Sequence, residues 1–347
     1  MKKNKKTASF LVLLLLLLLS VVYAATLGSS ELSAKDSIRI LMAGLPGMGE
    51  FPSRAGIGEV YQKIVWQIRM PRILLAALSG MGLSMVGAVF QGLFRNPLAD
   101  PHILGVSSGA AAGATIAILV GAGVSLPGLG LISTFAFLGA LGTVFAVYHI
   151  ACVGNRVPVV NILLTGTAVS TLLSSGISLL MAFHHDKIEK VYLWTLGSFS
   201  AATWEKVGFL AVFTLVCTVL LLLFSRELDV LSTGTDVAES LGIDAGRVRK
   251  RLLLVTALLV AAIVSVSGII GFVGLVIPHC VRMISGPRHK YLLPFSALSG
   301  AVFMILCDTI ARTVAAPTEI PVGVITALLG TPYFIYLLSR NKKEVLS

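Results

Sequence analysis

The sequence predicts an all-helical integral membrane protein, a bundle of ten spans, and three observations carry that prediction. Of its 347 residues 56% are hydrophobic and only 12% are charged, against about 25% charged in an average soluble domain. Mean hydropathy is +0.92. Apolar runs of about twenty residues, enough to cross the hydrocarbon core as a helix, recur along the whole chain with short polar breaks. Residues 1–347 therefore read as one polytopic transmembrane domain.

The spans fall at about 8–27, 71–94, 102–122, 129–151, 159–183, 205–225, 250–268, 271–285, 292–314 and 320–339. The eighth is short. Gly268, Gly271, Gly274 and Pro278 break it and its approach, and irregular backbone at membrane depth survives only where protein or a cavity satisfies it. Gly105, Gly109 and Gly113 repeat every fourth residue on the third span, as Gly80, Ser84 and Ala88 do on the second. That spacing lets helix backbones approach closely and predicts a tight bundle.

Charge sets the orientation. With the N-terminus cytoplasmic, the inner side receives the four Lys at the start, Arg95, Arg156, Arg226 and the run up to Arg251, Arg282, Arg288, Lys290, Arg340, Lys342 and Lys343, most of the 27 basic residues. Both termini are then inside. The start also resembles a secretory signal with a small-residue cleavage site after Ala24, but its apolar run is nearer a true span than a signal core of about 7 to 15 residues.

Several function classes are excluded or disfavoured. The net charge of +11 is scattered at the ends of apolar runs and forms no basic stripe, so no nucleic-acid partner is expected. No G-x-x-x-x-G-K-[ST] loop exists, so any ATP is handled by another subunit. Cys152, Cys217, Cys280 and Cys307 show no paired spacing. His184, His185 and Asp186 lack a third soft ligand and are expected to form a solvated loop, with no metal and no cofactor bound. No nucleophile, base and orienting group can be assigned, so no catalytic residue and no enzyme activity are expected.

Two blocks remain to be explained. From Gln67 the chain reads QIRMPRILLAALSGMGLSMVGAVFQGLFRNPLADPHILGVSSGAAAGA, and near its end GFVGLVIPHCVRMISGPRHKYLLPFSALSGAVFMILCDTIARTVAAPTEIPVGVITALLGTPYF. Both resemble the FecCD-type permeases, the transmembrane subunits of iron-siderophore, haem and cobalamin importers, and the similarity extends through all ten spans. The resemblance implies a type II ABC importer of the cobalamin permease-like fold in a bacterial plasma membrane. Two ten-span subunits, expected as a homodimer, would flank the pathway, with two ABC ATPase subunits below and a substrate-binding protein outside.

The same resemblance implies three sets of site residues. Arg69, Arg72 and Arg312 match the outward arginines that receive acidic residues of the binding protein. Arg69 and Arg72 flank Pro71, where proline suits a first helical turn at the water boundary, and Arg312 stands four residues after Asp308, close enough to pair along the helix. Ala238, Leu241 and Gly242, within a cytoplasmic segment at about 230–250, match the element that contacts the ATPase; Ala and Leu three apart give a small apolar face and Gly a helix end. Asn96 and Leu98, with Val159 and Val160, match the cytoplasmic constriction. The cobalamin relative has small hydroxyl residues where Val159 and Val160 stand, so an apolar gate closing by dewetting is expected here. The fifth and tenth spans would line the route.

An ion-coupled secondary transporter is the alternative. Such carriers place ionisable residues near the midplane, whereas Asp308 is the clearest acidic residue within a span and has an arginine nearby. Ferric siderophore, haem, cobalamin and an oxyanion all stay open as cargo.

Overall fold

The computed structural model describes residues 2–28, 33–43, 58–121, 129–152 and 158–346, and these contain helices and turns alone. In chain order the helices are α1 (Lys2–Thr26), α2 (Ala34–Ala43), α3 (Glu59–Leu93), α4 (Val106–Val120), α5 (Leu131–Ala151), α6 (Val159–Phe183), α7 (Ile188–Thr195), α8 (Trp204–Leu223), α9 (Ser225–Thr233), α10 (Thr235–Ser240), α11 (Ala245–Ser267), α12 (Val273–Ser285), α13 (His289–Thr313) and α14 (Val322–Leu346). Seven of them, α1, α3, α5, α6, α8, α11 and α13, are long and apolar enough to cross a membrane. Shorter apolar helices fill α4, α12 and the first part of α14. These ten coincide with the ten segments read from the sequence; Arg156 lies outside the described residues.

The start of the second span is corrected. Helix α3 begins at Glu59, not near residue 71, and passes through a π-helical turn, Ile64–Arg69, immediately before Pro71. Proline cannot donate to the carbonyl one turn back, and a widened turn relieves that mismatch without ending the helix.

From Met70 to Leu93, α3 is the axis of the bundle, buried along nearly all of that stretch against α13, α12, α8 and α11. Small residues permit this. A Cβ on Gly80 would collide with the carbonyl of Gly300 in α13, and one on Gly87 with the carbonyl of Gly274 in α12. The predicted Gly stripe of α4 acts likewise, with Gly109 and Gly113 meeting the α5 backbone at Gly139 and Phe135.

Between α11 and α12 the backbone is irregular, with Gly268 at φ +71° and Phe272 at φ +68°. Groups from elsewhere satisfy it and the first turn of α12. Gln91 donates to the carbonyl of Leu275 at 3.1 Å, and His102 reaches the carbonyl of Ile270 from Nε2 at 3.0 Å. That bond requires the Nε2–H tautomer, so Nδ1 accepts from the Ser107 hydroxyl beside it. The Ser198 amide covers the carbonyl of Ser267 at 2.8 Å. Non-helical backbone is thus tolerated because protein groups replace the absent water.

The two ends of the bundle differ. At one, α1 finishes beside Arg69 and Arg312, and α14 begins close to Glu319, which pairs with Arg72. At the other, Lys6 of α1 lies 4.0 Å over the Tyr291 ring near the start of α13. Helices α1 and α14 therefore place the two chain ends on the same side, opposite the arginines.

Candidate functional site

The arginine end holds a buried ionic cluster. Arg72 donates from Nε and Nη2 to Asp308 at 2.9–3.0 Å and from Nη1 to both oxygens of Glu319 at 2.8 and 2.9 Å. Asp308 is 2% exposed, Glu319 43%. Arg69 donates to the carbonyl of Ala25 at 2.6 Å and Arg312 to that of Ala24, so two guanidinium groups cap the last turn of α1. Its unpaired carbonyls and negative dipole end favour such cations.

This geometry corrects two expectations. Arg69, Arg72 and Arg312 are 4%, 8% and 7% exposed and do not stand free at the water boundary. Asp308 takes its ion pair from Arg72 on α3, which presents two donors side by side to the carboxylate, whereas Arg312 one turn along α13 turns its guanidinium to the Ala24 carbonyl. A cavity of about 230 Å³ nevertheless opens against the cluster, lined by the three arginines, Glu319, Gly28, Ile64 and Ile68. Among the described residues three cations meet two carboxylates here, a net positive lining.

Sequence reasoning passed over Glu319 and the Arg72–Asp308 bond, since 236 residues separate those partners. A buried carboxylate in an apolar span was the available clue, because it demands a cation.

Midway along the bundle, α6 is the least buried of the long apolar helices and packs mainly on α4 and α5. Thr167, Thr171, Ser174 and Ser178 stand exposed at spacings of three and four residues, which places them on one face. Val160, 62% exposed and seven residues before Thr167, continues that face to the end opposite the arginines. Val159 is the first residue of α6, and its side chain lies outside the described residues. A separate cavity of about 870 Å³ runs between the irregular 269–272 backbone and α14, with Phe272, Ala327, Thr331 and Ile335 in its wall.

Asn96 and Leu98 lie in the turn after α3, at the end opposite the arginines. The Asn96 side chain is exposed and accepts from the Leu98 amide at 2.9 Å, an Asx turn that fixes the loop; Leu98 is half-buried.

The segment α9–α10 lies at the same end, packed on α3, α13 and α11. Helix α10 closes in a Schellman motif, with Gly242 at φ +77° donating to Glu239 at 3.0 Å and Ile243 donating to Ala238 at 2.9 Å. Ala238 is fully buried and Leu241 is 65% exposed. The predicted Ala238–Leu241 face is therefore corrected: Ala238 packs inward, and Leu241 projects with Val237, 46% exposed. Three residues along a helix make neighbours only while it lasts, and α10 ends at Ser240.

His184, His185 and Asp186 are exposed, and among the described residues no three His, Cys, Asp or Glu converge as a metal site. The described residues thus form a helical membrane bundle with one ionic end, a helix face bearing exposed hydroxyls, and an apolar projection at the other end.

The comparisons define the class further. The model of the FecCD transport family matches residues 14–340, and the chain belongs to that family. It is similar to the cobalamin import system permease protein of Halobacterium salinarum, 42% identical over 93% of this chain and 87% of the relative. The hemin transport system permease protein of Yersinia pestis is 39% identical over 81% of this chain and 84% of that protein. Among solved structures, an inward-facing metal-chelate type ABC transporter superposes with a TM-score of 0.82 at 35% identity, covering 96% of this chain and 99% of the other. The chain is thus a multi-pass, non-catalytic permease subunit of an ABC importer, which works with ATPase and binding-protein partners.

Proposed function

We propose that two copies of this permease face each other across a central pathway and import a metal chelate of the ferric-siderophore, haem or cobalamin type. The observation that carries the reading is the face of α6. A span left uncovered along its length, with a hydroxyl stripe from Thr167 to Ser178, suits a wetted wall better than a lipid contact, where Leu and Val serve. Val160 ends that stripe, and with Leu98, held by the Asn96 turn, it supplies an apolar inner gate that closes by excluding water. The cavity beside α14 gives room for part of a large chelate.

In this reading the arginine end is extracytoplasmic, and both termini lie in the cytoplasm of a bacterial plasma membrane. An acidic side chain of the binding protein enters the positive cavity at Arg69, Arg72 and Arg312. Leu241 and Val237 on the opposite side seat the ATPase dimer, while Ala238 and Gly242 hold that projection in place. Import of radiolabelled chelates into proteoliposomes containing the permease, its ATPase and its loaded binding protein tests the assignment. ATP-dependent uptake of one chelate is the expected result; uptake driven by a proton or sodium gradient without ATP overturns it.

A further inference from the structure

At the end opposite the arginines, one carboxylate joins helices that the bundle otherwise keeps apart in sequence. Asp229 of α9 accepts from the backbone N–H of His289 at 2.8 Å and from its ring Nδ1 at 2.7 Å, both on the same oxygen. His289 is the first residue of α13, and the residue before it supplies no side-chain cap. Asp229 therefore caps α13 from a different helix, where the first N–H groups need acceptors and the dipole favours negative charge. The His289 side chain is 3% exposed, and the opposite edge of its ring rests on α3 at Gly92, where an added Cβ would come within 2.7 Å of Nε2.

The placement matters as much as the bonds. Helix α9 leads through Gly234 directly into α10, whose Leu241 and Val237 project from the protein. Helix α13 runs the other way, about 28 Å at 1.5 Å per residue from His289 to Asp308, and there binds Arg72 in the ionic cluster. Close packing on α3 at Gly80 and Gly300 keeps it from sliding freely.

We propose that Asp229 and His289 are positioning residues forming a latch that ties movement of the α9–α10 segment to α13, and so joins events at the ATPase to the arginine end. The proposal rests on the reading of α10 as the ATPase contact. The latch transmits because α9 cannot shift without breaking a double hydrogen bond or drawing the start of α13 with it. Asp229 needs only to keep an acceptor in place, whatever fills the pathway.

The test uses the full complex in proteoliposomes with loaded binding protein, comparing Asp229→Ala, Asp229→Ser and Asp229→Asn with the unmodified chain. Residue 229 is one-third exposed, so all three are expected to fold and to hold the ATPase on gel filtration. Import per ATP hydrolysed should fall about fivefold or more in the Ala and Ser variants, the lower range of a coupling factor. Asparagine keeps the acceptor and should retain most of the coupling. Unchanged import per ATP in assembled Ala or Ser variants overturns the latch, and so does an equal loss in Asn. Leu241→Asp separates the two readings: ATPase binding unaffected by that change removes α10 as the contact, whereas the Asp229 result reports on the latch alone.

Discussion

Replacing Arg72 by Met tests whether the ionic cluster is a structural bond or a surface charge. The substitution removes the three hydrogen bonds that Asp308 receives from Arg72, leaving a carboxylate that is 2% exposed without its ion pair. Breaking a buried pair from one side costs about 3–5 kcal/mol, because the remaining charge can be neither hydrated nor neutralised cheaply. Loss of the Glu319 contact adds little, since that carboxylate is 43% exposed and rehydrates. Asp308→Leu alone should be costly in the same way, with Arg72 losing its buried partner. The double variant Arg72→Met with Asp308→Leu should recover most of the loss, because neither partner of the buried pair is then left charged without the other. Equilibrium unfolding in mixed micelles, followed by two independent probes, measures all four proteins. A single Arg72→Met variant within about 0.5 kcal/mol of the parent, the range of an ordinary surface change, would refute the argument. Reversing Arg69 and Arg72 to Glu is therefore no clean probe of docking, for a carboxylate at 72 would face Asp308 and Glu319 and unsettle the fold itself.

Four further outcomes follow from the geometry. Ile68→Glu puts a negative charge on the rim of the positive cavity at a residue 61% exposed, so binding-protein affinity should fall with little change in melting temperature, and the defect should shrink at high salt. Leu241→Asp should weaken ATPase association on gel filtration without disturbing the bundle, whereas Ala238→Asp, fully buried, should lower stability measured without any partner. Val160→Ser hydrates the proposed constriction on an exposed face and should raise passive leak of small solutes from proteoliposomes; an unchanged leak places the gate elsewhere. Gly87→Ala forces a methyl group against the Gly274 carbonyl and should destabilise by about 1–3 kcal/mol, the usual range for overpacking.

Much of the fold was legible because a bilayer imposes a coarse rule. A run of apolar residues such as 205–225 must be a helix wherever it lies, and the Gly109 and Gly113 spacing states that something packs closely there. The RNPLADPHILG and PVGVITALLGTPYF blocks also carried the family directly, and with it the absence of catalysis. Gly242 could be placed as a helix end from its type alone, since a left-handed C-cap suits glycine.

What the sequence could not determine is which way a side chain turns and what meets it. Spacing made Asp308 and Arg312 neighbours, and made Ala238 and Leu241 one face, because along a helix three or four residues is the only distance a sequence shows. The fold overruled both: Arg72 arrives at Asp308 from 236 residues away, and the end of α10 turns Leu241 outward while Ala238 stays in the core. The Asp229–His289 bond and the Arg69 and Arg312 caps on α1 were invisible for the same reason. Hydrophobic patterning is a local property written residue by residue, whereas a hydrogen bond between distant helices exists only once the bundle has set their distance and angle.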